Sequence, residues 1–394
     1  MKRMLWLGLL AVALGAGPLE PKEGGLIDLP MYRRPDIKPP GTTQVFPERL
    51  PELWLQAIER PKAKLRERAA TAFAKAHRMG MKRGMEKAGK KLAALVVDDP
   101  DPMVRLAAAR ALGELEHRAA APAMLRAMQK HGGALARQVD PTLARWGHEP
   151  AIEAWLDRVE SAEAAVATRR SAIEALGAIG AERATAPLRE LAVNERAHPA
   201  LRLAAGAALG KIAGDGLVSP AATLAERGGS VDRLVAARML GGHDTDAAAE
   251  VLAGLAATEH RPPTIVAALK TLRRITPQRI AEAPGPWLSH GDPNVRRVAA
   301  RSLVVRNDEA VVPLLVERLN DRSFAVRSEA RRVLAKLHET DALSGAVQRG
   351  LMRAIKGKGW RRIEQAALLA IAIDHKPAAE ALVQAGGQSE GERR

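Results

Sequence analysis

Cysteine is absent from the 394 residues. That excludes disulfides, thiolate zinc sites, Cys-ligated clusters, cysteine nucleophiles and a lipid-modified N-terminal cysteine. Aromatics are scarce, with six Trp, three Phe and one Tyr making 3% of the chain. Strands favour aromatic and β-branched side chains, whereas alanine, abundant here, favours closely packed helices. Long apolar runs are lacking as well. The run Met4–Leu14, extended by small residues to Gly17, spans about 14 positions against the roughly 20 of a membrane-spanning helix. No Gly-x-Ser-x-Gly elbow, phosphate-binding loop or Gly-x-Gly-x-x-Gly after a strand occurs, which argues against hydrolases and nucleotide-binding enzymes.

What the N-terminus does have is Lys2 and Arg3, then the apolar run, then Gly15, Ala16 and Gly17. This is the layout of a secretory signal peptide, residues 1–16, cut after Gly15 or Ala16. Export to a periplasm or out of the cell is therefore expected. Residues 17–51 carry eight prolines from Pro18 to Pro51, which remove backbone donors and favour extended conformations. They read as a Pro-rich linker, or as an arm lying along the first helices. Basic N-terminal capping helices are expected over 52–92, a repeat array over 93–386 and a disordered tail over 387–394.

The array announces itself by a period. Asp101-Pro102-Met103-Val104-Arg105 runs into Leu106-Ala107-Ala108-Ala109-Arg110-Ala111-Leu112-Gly113. Arg169, Arg202, Arg233, Arg296 and Arg327 repeat the place of Arg105, at single or doubled steps of about 32 residues. Each copy reads as the second helix of a hairpin, with Asp as cap, Pro in the first turn and Gly at the end. Val104, Ala108, Ala111 and Leu112 form one apolar stripe. The partner helices are expected over 181–193, 244–258 and 307–320. Such a hairpin cannot bury its face alone, so the fold class is all-α, an α-solenoid of about nine to ten stacked helical hairpins. Pro141 interrupts the copy near Arg137, Ile265 replaces the arginine of another, and Gly357 and Gly359 loosen the approach to Arg362.

At the Asp-Pro-x-Val-Arg…Ala-Ala-x-Ala-Leu-Gly phrase the chain resembles the HEAT repeat family, particularly the short phycobilisome-lyase-like variety. The resemblance implies a superhelical platform for binding other macromolecules, with catalysis a minority occupation. It also implies that the arginine ladder, Arg105, Arg169, Arg202, Arg233, Arg296 and Arg327, is structural. In this family an acid in the hairpin turn pairs with the arginine of a neighbouring unit, and Asp101, Asp292 and Asp321 are suitably placed. A ladder lining a groove for phosphates or carboxylates is the rival reading.

His148-Glu149, His243-Asp244 and His338-Glu339 echo the His-Glu pairs of deoxyhypusine hydroxylase, a HEAT-like di-iron enzyme. A separation of 190 residues between His148 and His338 argues against one shared metal site, and histidines at helix C-termini are favoured by the dipole. No catalytic residue, cofactor or metal is expected.

The net charge of +16 is unevenly spread. Residues 48–91 hold 13 Lys and Arg against 5 Asp and Glu, residues 349–394 hold 9 against 5, and 92–348 are nearly balanced. Lys64, Arg68, Lys75, Arg78 and Lys82 share one helical stripe, opposite Leu65, Ala69, Ala72, Phe73 and Ala76. The stripe reads as a footprint for an anionic surface, or as a solvated face. HEAT-like DNA glycosylases show that this architecture can hold a duplex, but export and the shortage of stacking aromatics argue against nucleic acid. The expected function is a non-catalytic exported scaffold for a protein or anionic envelope partner, with peripheral membrane contact through the basic helix. A HEAT-like lyase or metal-dependent envelope enzyme, and a polyanion-binding module, are the alternatives.

Overall fold

A computed structural model describes residues 47–383 except Arg83, Glu259, His260, Asn307 and Lys358. The expected signal peptide, most of the Pro-rich segment and the C-terminal tail lie outside these residues. The described residues form helices and turns without a strand. The chain divides into two compact units, one ending at His243 and the other starting, among the described residues, at Asp244.

The N-terminal unit is six helical hairpins: α1 (Leu50–Ile58) with α2 (Ala63–Arg78), α3 (Glu86–Asp98) with α4 (Pro102–Glu114), α5 (Ala121–His131) with α6 (Gly133–Arg145), α7 (Ala151–Glu160) with α8 (Val166–Ile179), α9 (Thr185–Val193) with α10 (Pro199–Ile212), and α11 (Val218–Arg227) with α12 (Ser230–Met239). The C-terminal unit pairs α13 (Asp246–Thr258) with α14 (Pro262–Ile275). There the short helices α15 (Pro277–Glu282) and α16 (Gly285–Leu288) precede α17 (Pro293–Ser302), followed by α18 (Val311–Arg318) with α19 (Phe324–His338) and α20 (Asp341–Lys356) with α21 (Trp360–Ala372). Second helices stack on second helices in each unit, α2 through α12 and α14 through α21. No described helix is long and apolar enough to cross a membrane.

The helix starts follow from local chemistry. Asp101 Oδ1 accepts from the amides of Met103 (2.7 Å) and Val104 (3.4 Å), and Asp292 Oδ1 from those of Asn294 (2.7 Å) and Val295 (3.3 Å). A proline follows each, at the first turn, where its missing N–H costs nothing. Behind these caps Val104, Ala108, Ala111 and Leu112 are buried together, as are Val295 and Ala299. Trp54 meets Phe73 edge-on at 5.2 Å and closes the first hairpin.

Three expectations are corrected. Three repeat glycines do not end their helices: Gly113, Gly177 and Gly210 lie inside α4, α8 and α10, whereas Gly241 follows the end of α12 as expected. The three let second helices touch, since a Cβ on Gly177 would fall 2.6 Å from the Ala208 Cα and one on Gly210 2.1 Å from the Arg238 carbonyl oxygen. Gly210→Ala, which must push backbone aside, is expected to cost about 1–3 kcal/mol in denaturant unfolding. Pro141 does not interrupt its copy, because α6 runs through it from Gly133 to Arg145. The first helices start later than expected at 185 and 311, the former after a 3₁₀ turn over Glu182–Ala184.

Candidate functional site

Each ladder arginine sits three residues after the first residue of its helix, so its side chain reaches back over the hairpin turn. Arg105 Nη1 donates to the carbonyls of Asp99 (2.7 Å) and Pro100 (3.0 Å). Arg296 Nη1 donates to those of His290 (2.7 Å) and Gly291 (2.8 Å), and Arg327 Nη1 to those of Asp321 (3.0 Å) and Arg322 (3.2 Å). Arg169 takes the Val159 carbonyl with Nε (3.0 Å) and Nη2 (2.7 Å), and Arg202 Nε takes that of Ala192 (3.0 Å). Arg233 is half-buried at the start of α12, with its Nη2 near Gly228. The arginines thus supply donors to turn carbonyls that the helices leave unpaired.

Some rungs also reach the next unit. Arg296 Nε and Nη2 clamp both Asp321 carboxylate oxygens at 2.8 Å, and Arg202 pairs with the buried Asp232. Arg66, which the period did not single out, does the same: Nε and Nη2 hold Asp99 at 2.7 and 2.9 Å while Nη1 donates to Arg60 and Pro61 carbonyls. Since Asp99 and Asp321 offer their backbone carbonyls to Arg105 and Arg327, the rungs join end to end. Of the three acids expected to pair, only Asp321 does so through its carboxylate; Asp101 and Asp292 cap their own helices, and Asp99, two residues earlier, takes the guanidinium. Burial pushes the Asp321 and Asp99 carboxyls up, but hydrogen bonds from arginine and a backbone amide outweigh it and hold both below the usual range. The hydrogen bonds that Arg66 and Arg296 donate to Asp99 and Asp321 raise both arginines above the ordinary guanidinium value.

A second polar centre lies in the copy containing Pro141. Asp140 is fully buried and accepts from Trp155 Nε1 (2.9 Å), Arg158 Nη1 (2.7 Å) and Ser171 Oγ (2.6 Å). Three helices, α6, α7 and α8, meet on one carboxylate.

The basic stripe is exposed but shorter than expected. Lys64, Arg68, Lys75 and Arg78 face solvent on α2, Lys64 paired with Glu67 at 2.7 Å and Arg78 3.8 Å from Glu114. Lys82 is exposed too, but the helix ends at Arg78, where Gly80 takes a positive φ and the Met81 amide closes on the Ala76 carbonyl at 3.0 Å. Leu65, assigned to the apolar face, is 41% exposed.

The histidines fill turns. His131 Nε2 lies 2.8 Å from the Val97 carbonyl and His243 Nε2 3.1 Å from that of Gly214, while the His117 ring occupies the space a Cβ on Gly89 would need. Burial pushes His148 below the ordinary imidazole value, and His148 and His338 belong to different units. Among the described residues no three His, Asp or Glu side chains are grouped to hold a metal ion.

Each unit also exposes starts of its second helices. At the first or second position, Met103 and Val166 are exposed in the N-terminal unit and Phe324 and Trp360 in the C-terminal unit, while the arginine that follows Met103, Val166 and Phe324 turns inward. Arg327 lies over the Phe324 ring at 5.6 Å and Arg361 over the Trp360 ring at 5.4 Å.

A family model of HEAT repeats matches residues 51–139 and 281–372, and one of the PBS lyase HEAT-like repeat matches 168–194. The first match reaches α1 and α2. No curated protein matches the chain. Similar solved structures include an engineered protein (18% identity, 82% of this chain and 99% of that one, TM-score 0.40). Another is Kap121p bound to Pho4p (13% identity, 89% and 45%, TM-score 0.43), of which this chain spans less than half the length. Human deoxyhypusine hydroxylase in complex with glycerol is similar at 18% identity over 74% of this chain and 97% of that one, TM-score 0.31.

Proposed function

Because this chain is a HEAT-repeat protein, we propose that it is an exported, non-catalytic scaffold that holds a protein partner of the cell envelope at the exposed starts of its second helices. The observation that carries the reading is the division of labour within α4, α8 and α19: the arginine turns inward and donates to turn carbonyls, while the first residues stand exposed. Stacked repeats use such extended surfaces for binding. Export rests on Lys2, Arg3 and the run Met4–Leu14. The exposed cations of α2 add attraction to anionic components of the same compartment, a contribution that salt screens.

The test is cross-linking of the full chain in envelope extracts, from photoreactive groups placed at Met103 and Phe324. A stoichiometric protein adduct that survives high salt supports the scaffold. A tightly bound metal or chromophore that turns over a substrate overturns it in favour of a lyase or metal-dependent enzyme. Adducts released by salt and consisting only of polymer, lipid or nucleic acid overturn it in favour of a polyanion-binding module.

Reversing Lys64, Arg68, Lys75, Arg78 and Lys82 to glutamate is expected to leave the melting curve in place, because all five side chains face solvent. Binding to vesicles containing anionic lipid is expected to disappear. Retention of vesicle binding by the five-fold variant would show the stripe to be a solvated face.

A further inference from the structure

The ladder contains its own standard of comparison. The guanidiniums of Arg66 and Arg296 are each clamped by a carboxylate standing three residues before the first residue of the next second helix, Asp99 before Pro102 and Asp321 before Phe324. For Arg327 the next second helix begins at Trp360, and the residue in the corresponding place is Gly357. Arg327 is nevertheless only 7% exposed, and its Nε finds no acceptor among the described residues. Glu364 on α21 attracts it through space but accepts its hydrogen bond from Gln365 at 3.4 Å, and Arg361 repels it. Burial pushes Arg327 below the ordinary guanidinium value, the reverse of Arg66 and Arg296.

The surroundings are those of a binding site rather than a defect in packing. Phe324 and Trp360, on neighbouring helices, are 60% and 50% exposed, each with an arginine over its ring. Arg105 also has a buried Nε without an acceptor, but its helix begins with Pro102, and it is only half-buried.

We propose that Arg327, framed by Phe324 and Trp360, receives a carboxylate from a protein partner, carried beside an apolar side chain, in the place that Asp99 and Asp321 occupy in the rungs of Arg66 and Arg296. The planar fork of arginine matches a carboxylate bidentately, and the two rings give the apolar neighbour a surface. The inference rests on the scaffold reading and deepens it, because it states what the partner must present.

The probes are acetyl-leucine with a free carboxylate, acetyl-leucyl-aspartate amide and the neutral acetyl-leucine amide. Each is titrated into the full chain while the Arg327 Nε–H resonance and the Trp360 fluorescence are followed. At least one acid is expected to move both signals and the neutral amide neither; which acid binds tells a chain-end carboxylate from a side-chain one. Arg327→Lys, which keeps charge without the fork, is expected to weaken binding about tenfold. Glu364→Gln is expected to strengthen it, and Arg105→Lys to leave it unchanged. Equal responses to acid and amide, or no response to either acid, would overturn the proposal. If the Met103 cross-link survives in Arg327→Lys, the scaffold reading stands whether or not the carboxylate site does.

Discussion

Arg296→Ala is expected to cost the C-terminal unit about 3–5 kcal/mol, measured by urea unfolding followed by far-UV circular dichroism. Four hydrogen bonds end on this side chain, two on Asp321 at 2.8 Å and two on turn carbonyls at 2.7 and 2.8 Å. The Asp321 side chain is 5% exposed, so removing its partner strands a charge that water cannot reach. That stranded charge, more than the lost bonds, sets the size of the effect.

The pH dependence separates the two contributions. Because the folded Asp321 carboxyl is held below its ordinary value, its stabilisation is complete above the unfolded carboxylate pKa of about 3.9 and is lost as pH falls through the lower folded value. In Arg296→Ala the arginine's hydrogen bonds and charge are gone, and the burial that pushes this carboxyl up is opposed only by the Ser323 amide and the charge of Arg318. The variant is therefore expected to close its gap to the parent protein on acidification. A gap that stays constant from neutral to acid pH would mean that Asp321 contributes nothing through its charge.

Much of this architecture was legible because HEAT packing repeats its physics along the chain. The cap, the first-turn proline and the arginine three residues on can be read as letters, and the helices begin at them. What was not legible is where each letter points. Gly177 and Gly210 look like helix terminators, yet they are contact points whose partners, Ala208 and Arg238, lie in the next unit. Asp101 is the acid expected to pair with an arginine of the neighbouring unit, and only three-dimensional placement shows that it is spent on its own helix while Asp99 takes Arg66. Arg66 carried a signal that went unread: like the other rungs it stands three residues before a buried alanine, Ala69. The exposed partners of Arg327 could not be anticipated, because Phe324 and Trp360 are as compatible with a core as with a rim.

The next position along the second helices marks the second large effect. Seven residues after the first residue of α4, α8, α10, α12 and α17 stand small or apolar buried residues, Ala109, Ile173, Gly206, Ala237 and Ala300, and in α6 the residue in register is Asp140. Asp140→Ala therefore returns the copy to the common pattern, and an argument from the repeat alone expects it to stabilise. The contacts argue the opposite. Losing the carboxylate leaves the Trp155 indole N–H buried without an acceptor, the Ser171 hydroxyl without its acceptor at 2.6 Å, and Arg158, 14% exposed in its side chain, without its ion pair to Asp140. The expected cost is again about 3–5 kcal/mol. A buried network replaced as a whole behaves differently from one broken in half, since apolar groups of matching volume need no partners. Asp140→Ala combined with Arg158→Leu, Ser171→Ala and Trp155→Phe is thus expected to recover most of the loss. If the single variant unfolds at the same urea concentration as the parent, Asp140 is a tolerated drift from the pattern. If the single variant is destabilised and the four-fold variant recovers, the carboxylate is an obligate part of a network that the plain repeat does not need.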